Sequence, residues 1–173
     1  LEAREITRTH VSELVGMAAR AEAGQTRGTA TQLVELKAVE TGYPLYGRMQ
    51  IMPDRPLEEL LHPHDIRCPA GACYGAAVQE ALLIKMGLVV GDQLTLGQAT
   101  FLITAVVRTE PDRMANAFSL GPRVLIAQEG LQATGLVMTG SRIRERYLLK
   151  LPASMPVEPV LYELRGRLAA ESA

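Results

Sequence analysis

AAVQEALLIKMGLVVGDQLTLGQATFLITAVVRT, residues 76–109, changes its hydrophobic period twice. Residues 76–78 read as a short strand. Residues 79–86 read as a helix burying Leu82, Leu83 and Met86, with Gly87 as its C-terminal cap, where a positive φ costs little only for glycine. Gly91 and Asp92 then turn the chain into a strand over 93–96. Gly97-Gln98 is a two-residue hairpin loop. The return strand, 99–109, sets Phe101, Ile103, Ala105 and Val107 on one side and Leu102 and Val106 on the other, which predicts cover on both faces.

Outward from this stretch, residues 11–21 and 32–39 predict the arms of a β-hairpin around a Gly/Thr-rich turn at 23–29. In the second arm Leu33, Glu35, Lys37 and Val39 alternate with Val34, Leu36 and Ala38. A short strand is expected over 46–52, ended by Pro53, and a helix over 57–61 with Pro56 at its first turn. Residues 62–75 read as an irregular loop. After a break at 110–113 come a strand at 123–127, a helix at 128–134 capped by Gly135, and a strand at 142–151. A last helix begins near Pro159, with Val160, Leu161, Leu164 and Leu168 inward and Glu163 and Arg167 paired. The expected fold is α+β, a mixed β-sheet with helices on one face plus a smaller inserted α/β subdomain. Residues 1–43 and 113–173 form one part and residues 44–112 the inserted one.

The 173 residues are 47% hydrophobic and 21% charged, with a net charge of -1. This composition supports a packed core and argues against disorder. There is no basic excess to neutralise phosphates, which argues against nucleic-acid binding. The most apolar stretch, 76–91, carries Gln79, Glu80 and Lys85 and falls short of a membrane-spanning helix of roughly 20 apolar residues. With Leu1 in place of an initiator Met, and a stop just after a helix, both ends read as cuts from a longer chain.

Candidate reactive groups concentrate in one loop. His62, His64, Cys68 and Cys73 are candidate metal ligands, with Asp65 beside them, but their spacing lacks the regularity of zinc sites. Cys68 and Cys73 are candidates for a disulfide across a tight loop, with two free thiols the alternative. His10, His62 and His64 have no recognisable orienting partner, so no catalytic residue is assigned. No phosphate-binding motif follows Gly121-Pro122, and no cofactor is expected in this domain. Arg142, Arg144 and Arg146 alternate on one strand. They read as a charged sheet edge guarded against pairing, or as contacts to anionic headgroups.

Several blocks resemble one family. They are Leu33-Val-Glu-Leu-Lys-Ala-Val39 with Tyr43-Pro-Leu-Tyr-Gly47, the run LLIKMGLVVGDQLTLG at 82–97, Glu110-Pro-Asp-Arg113, Phe118-Ser-Leu-Gly-Pro-Arg-Val-Leu125, and the run GSRIRERYLL at 140–149. In this order they resemble FtsX-like ABC transporter permeases with a MacB-like core domain, in the subfamily labelled as involved in lysophospholipase biosynthesis. The likeness covers about residues 11–152, and the segment 62–73 departs from it. It implies an extracytoplasmic domain of a bacterial inner-membrane protein, lying between two membrane helices and divided into a membrane-proximal and an inserted part. It also implies a cytoplasmic ABC ATPase subunit that binds the ATP, a periplasmic protein partner, and no catalytic residues. Two other classes stand as alternatives: a soluble periplasmic module binding a lipid or apolar ligand, and a small hydrolase using the 62–73 loop.

Overall fold

A computed structural model describes residues 6–21, 31–62, 74–112 and 120–171, with side chains in the last helix through Arg167. The strands are β1 (Thr7–Arg20), β2 (Thr31–Val39), β3 (Gln50–Met52), β4 (Tyr74–Gln79), β5 (Gln93–Leu96), β6 (Ala99–Thr109), β7 (Arg123–Ala127) and β8 (Arg144–Lys150). The helices are α1 (Leu57–Leu61), α2 (Glu80–Met86), α3 (Gln128–Thr134) and α4 (Val157–Glu171). Gly87 and Gly135 end α2 and α3 in the left-handed conformation, with φ of 63° and 66°, as their positions predict.

The sheet is mixed, as expected, but it is not an open layer. Its neighbours run β2-β7-β4-β6-β5-β1, and β1 pairs again with β2, so six strands close into a barrel. The β2–β7 and β4–β6 pairs are parallel and the rest antiparallel. Two strands lie outside the ring, β8 on β1 and β3 on β6. Closure depends on β1. Its 14 residues pair with β2 along one edge and, along the other, with β8 at Thr7–Glu13 and with β5 at Ala18–Arg20. Closing the ring removes most of the exposed strand edges that an open sheet would carry. Strands from 1–43 and 113–173 and strands from 44–112 share this one sheet.

The helices do not share one face either: α2 and α3 close the interior of the barrel, while α1 packs on part of its outer wall. Inside, Leu14, Val34, Leu36, Val78, Leu94, Leu96, Phe101, Ile103, Val124 and Ile126 form a core that α2 and α3 close with Leu82, Met86 and Leu131. Outside, Val11, Val39, Ala77, Ala105, Val107, Leu125 and Ala127 form a second core beneath Tyr43, Met49 and Ile51, and beneath Leu60 and Leu61 of α1. The strand at 99–109 serves both. Ala76 pairs with Ile103 and Ala77 with Ala105, so Thr104 is an extra residue in β6 and donates its hydroxyl to the Ala76 carbonyl at 3.2 Å. This bulge turns Phe101 and Ile103 inward and Ala105 and Val107 outward, although all four share one parity.

Two smaller expectations change. The strand at 46–52 contracts to Gln50–Met52. In α4, Val160 is buried but Leu161 is exposed; Leu168 lies outside the described side chains. The Glu163–Arg167 pair forms at 2.8 Å.

The outer core requires α1 to approach β4 closely. A Cβ on Gly75 would stand 2.0 Å from the Leu60 carbonyl oxygen and 2.9 Å from the Leu61 Cα. Gly75→Ala must therefore push α1 off the wall. The expected cost is about 1–3 kcal/mol, read as a lower denaturant midpoint with unchanged slope.

Candidate functional site

On the outer wall, above the rung of Val11 and Val39, the strands carry charge in place of apolar side chains. The register sets Glu13 opposite Lys37 and Glu35 opposite Arg123. Arg146 sits across from Val11 on the same side. The turn after β6 folds Glu110 and Asp112 over this row, and Tyr43 closes it from below.

Lys37 is 1% exposed, and its ammonium has a partner for each of its three protons. It donates to the Tyr43 hydroxyl at 2.5 Å, to Glu110 Oε2 at 3.1 Å and to both Asp112 oxygens at 2.9 Å. Tyr43 in turn donates to Asp112 Oδ1 at 2.5 Å. Arg146 Nη2 bridges Glu13 Oε1 and Asp112 Oδ2, both at 3.2 Å. Arg123 reaches Glu13 at 3.5 Å, Glu35 at 3.6 Å and Glu110 at 3.3 Å. The last contact is Coulombic only: Arg123 Nε and Glu110 Oε1 are buried and close but not aligned for a hydrogen bond, and Arg146 Nε also lacks one.

Burial raises the Asp112 carboxyl, but hydrogen bonds from Lys37 and Tyr43 and the charges of Lys37 and Arg146 outweigh it and hold the group below its ordinary value of 3.8. Burial and the Asp112 hydrogen bond push the Tyr43 phenol far up, so it stays protonated. A depressed carboxyl contributes stability above its unfolded value and loses it as pH falls through the folded one. Asp112→Asn is therefore expected to destabilise the chain at neutral pH, with the gap to wild type closing below about pH 4. Thermal melts from pH 7 to 2 check this; a gap independent of pH refutes it.

No reactive group emerges from this arrangement. Lys37 is enclosed and fully bonded, so it offers no free nitrogen for nucleophilic or base chemistry. The cluster pins elements together. It joins β1, β2, β7 and β8 to the chain at both junctions of the 44–112 segment, Tyr43 on one side and Glu110 and Asp112 on the other.

The residues singled out from sequence fare differently. His64, Cys68 and Cys73 lie outside the described residues. His62 caps α1, with Nδ1 3.2 Å from the Glu58 carbonyl and Nε2 3.3 Å from Glu129. Among the described residues no group of His, Cys, Asp and Glu has metal-binding geometry. His10, expected to lack an orienting partner, has two: Nε2 lies 2.6 Å from Glu145 and Nδ1 lies 3.3 Å from the Gln128 amide nitrogen. Its ring stacks on Tyr147 at 4.5 Å. Ser12 donates to the same Glu145 oxygen at 2.6 Å and is 1% exposed. The serine is bonded to the carboxylate and sealed from solvent, which leaves no activated nucleophile. Arg144 and Arg146 do lie on an outer strand, yet Arg146 belongs to the cluster while Arg142 and Arg144 are exposed.

The charged row is not legible in the alternation of Glu35 and Lys37 with Val34 and Leu36, which does not say which side of the strand is covered. A signal was present: Glu35, Lys37, Tyr43, Glu110, Asp112, Arg123 and Arg146 all fall within the blocks that carry the family resemblance.

Comparison with known proteins points to the same class, the permease subunits of ABC transporters. The chain is 34% identical over 120 residues to the protein described as "Uncharacterized ABC transporter permease YbbP" from Escherichia coli (strain K12). The matched region is 69% of this chain and 13% of that protein. No protein-family profile and no solved structure matches the chain. Among the described residues no helix is long and apolar enough to cross a membrane.

Proposed function

We propose that this chain is the extracytoplasmic, MacB-like core domain of an FtsX-like ABC permease, and that it couples ATP hydrolysis by a cytoplasmic ATPase subunit to export or force transmission across the inner membrane. Its role is mechanical, and no reactive side chain takes part. The observation that carries this is the β1–β8 pairing, which sets Thr7 beside Lys150. The polypeptide enters and leaves the barrel side by side, as a body held on two neighbouring membrane helices must. Displacement of either helix then acts on one antiparallel ladder. The two cores and the charge cluster make what lies beyond that ladder rigid. The likeness to YbbP supports a membrane-embedded parent with an ATPase partner. The division at 43 and 113, the periplasmic side and the link to lysophospholipase biosynthesis follow from the family resemblance.

The test replaces residues 7–150 of the parent permease with a short Gly/Ser linker. ATPase assembly is expected to survive while the ATP-driven output is lost; full output without the domain overturns the proposal. Labelling of an introduced surface cysteine by a membrane-impermeant maleimide in intact cells checks the side of the membrane.

A further inference from the structure

Beyond the charge cluster, the outer wall among the described residues carries exposed apolar side chains. We infer that this face of the β1–β2 hairpin docks a protein partner that presents an apolar centre bordered by carboxylates; the inference rests on the extracytoplasmic assignment above.

Successive rungs of the hairpin differ in cover. Val11 and Val39 lie under α1 and the 43–52 segment, and Glu13 and Lys37 lie under the Glu110–Asp112 turn. The next rungs are Val15 opposite Glu35 and Met17 opposite Leu33. Their apolar members are 43%, 48% and 38% exposed. Leu120, 55% exposed, adjoins them, because its backbone N–H donates to Glu35 Oε1 at 2.8 Å. Isolated apolar side chains on a surface are ordinary, whereas these four adjoin one another on one face.

The border of the patch fixes the partner's chemistry. Arg144 lies directly across from Glu13, one rung from Val15 and on the same side, and Arg142 precedes it by two residues. Both are exposed, and among the described residues neither has a carboxylate partner, whereas Arg146 is held by Glu13 and Asp112. Unpaired guanidinium groups beside an apolar centre complement acidic groups around an apolar one. The carboxylates on this face, Glu13 and Glu35, already face Arg123 and Arg146, so a second copy docked through the same face offers the arginines no free acid. A bilayer is also excluded as the occupant under the proposed attachment. Ten strand residues at about 3.3 Å each separate Met17 from Thr7, about 33 Å along β1, several times the Debye length of about 8 Å at physiological salt.

The experiment uses the whole permease with its ATPase in living cells. A photoreactive benzoylphenylalanine replaces Met17, with a second at Lys85 on α2 as the control site. The expected result is a protein adduct from position 17 and not from 85, with Asp or Glu flanking the linked residue in its mass spectrum. The adduct should fall about tenfold or more in Arg142→Glu/Arg144→Glu and persist in Arg142→Lys/Arg144→Lys. Both arginines lie outside the cluster, so unchanged melting of these variants confirms an intact fold. An adduct to lipid, an adduct to a second copy, no adduct, or an adduct indifferent to charge reversal overturns the inference. The maleimide arm described above reports separately on the side of the membrane, so failure of the extracytoplasmic assignment and failure of docking remain distinct.

Discussion

Replacing Lys37 with Met is expected to destabilise the fold by about 3–5 kcal/mol, the usual cost of removing one partner from a buried ion pair. Methionine fits the volume of the lysine stem, so the loss is electrostatic and not steric. Glu110, whose side chain is 1% exposed, would keep only a misaligned Coulombic contact with Arg123. Asp112 is 25% exposed and keeps Tyr43 and Arg146, so it suffers less. Total stabilities of about 5–15 kcal/mol are normal, so the variant stands close to unfolding. For a chain of this size each kcal/mol moves the melting temperature by about 2–4 °C, which puts the fall near 10 °C. The double variant Lys37→Met/Glu110→Gln separates cause from coincidence. It removes the stranded charge and is expected to recover at least about 1 kcal/mol. Chemical denaturation of the three proteins reads this directly. A single variant within 1 kcal/mol of wild type, or a double variant no better than the single, would show that the cluster is not what holds the wall together.

The particular residues show which parts of the fold local chemistry encodes. Gly87, Gly97 and Gly135 mark two helix ends and a hairpin, and the structure places all three with positive φ. Their signal is local because the conformational demand is local. The hairpin arms expected at 11–21 and 32–39, the helices at 57–61, 80–86 and 128–134, and the strands at 93–96 and 99–109 follow from period and punctuation, whereas the start of β1 at Thr7 does not. Barrel closure does not. It depends on β1 meeting β5 at Ala18–Arg20 and β2 meeting β7, pairings between segments more than 70 residues apart, and alternation carries no record of which strand lies alongside which. The bulge at Thr104 was hidden for a related reason. Phe101, Ile103, Ala105 and Val107 share one parity, and only pairing with β4 reveals that the parity breaks among them. The charge cluster was the least legible. Glu35 and Lys37 alternate with Val34 and Leu36 as on any solvated strand, and the cover that buries them arrives from Tyr43 and from Glu110 and Asp112, up to 75 residues away.

Phe101→Ala is expected to cost about 3–5 kcal/mol, the range for truncating a fully buried aromatic side chain. Phe101 is completely buried inside the barrel, and its ring lies 5.6 Å from that of Tyr74. It is also the seat of α3: a Cβ on Gly130 would stand 2.9 Å from the ring, so the helix rests on it through a residue with no side chain. The wall around the ring is a closed hydrogen-bonded ladder and cannot collapse inward to fill the space. The cost should therefore fall in the upper part of the range, while Ile103→Val nearby, removing one methyl group, costs about 1 kcal/mol. The resulting cavity is lined by the Tyr74 ring and aliphatic side chains, so a small apolar molecule such as benzene is expected to bind there and restore part of the loss in proportion to RT ln(1 + [L]/Kd). Wild type should show no such gain, because the side chains of the inner core already fill the interior of a barrel this small. Melting temperatures with and without saturating benzene decide the matter. Equal stabilisation of both proteins would mean that the native barrel already holds room for an apolar ligand, and the chain would then be a container and not a rigid transmitting body.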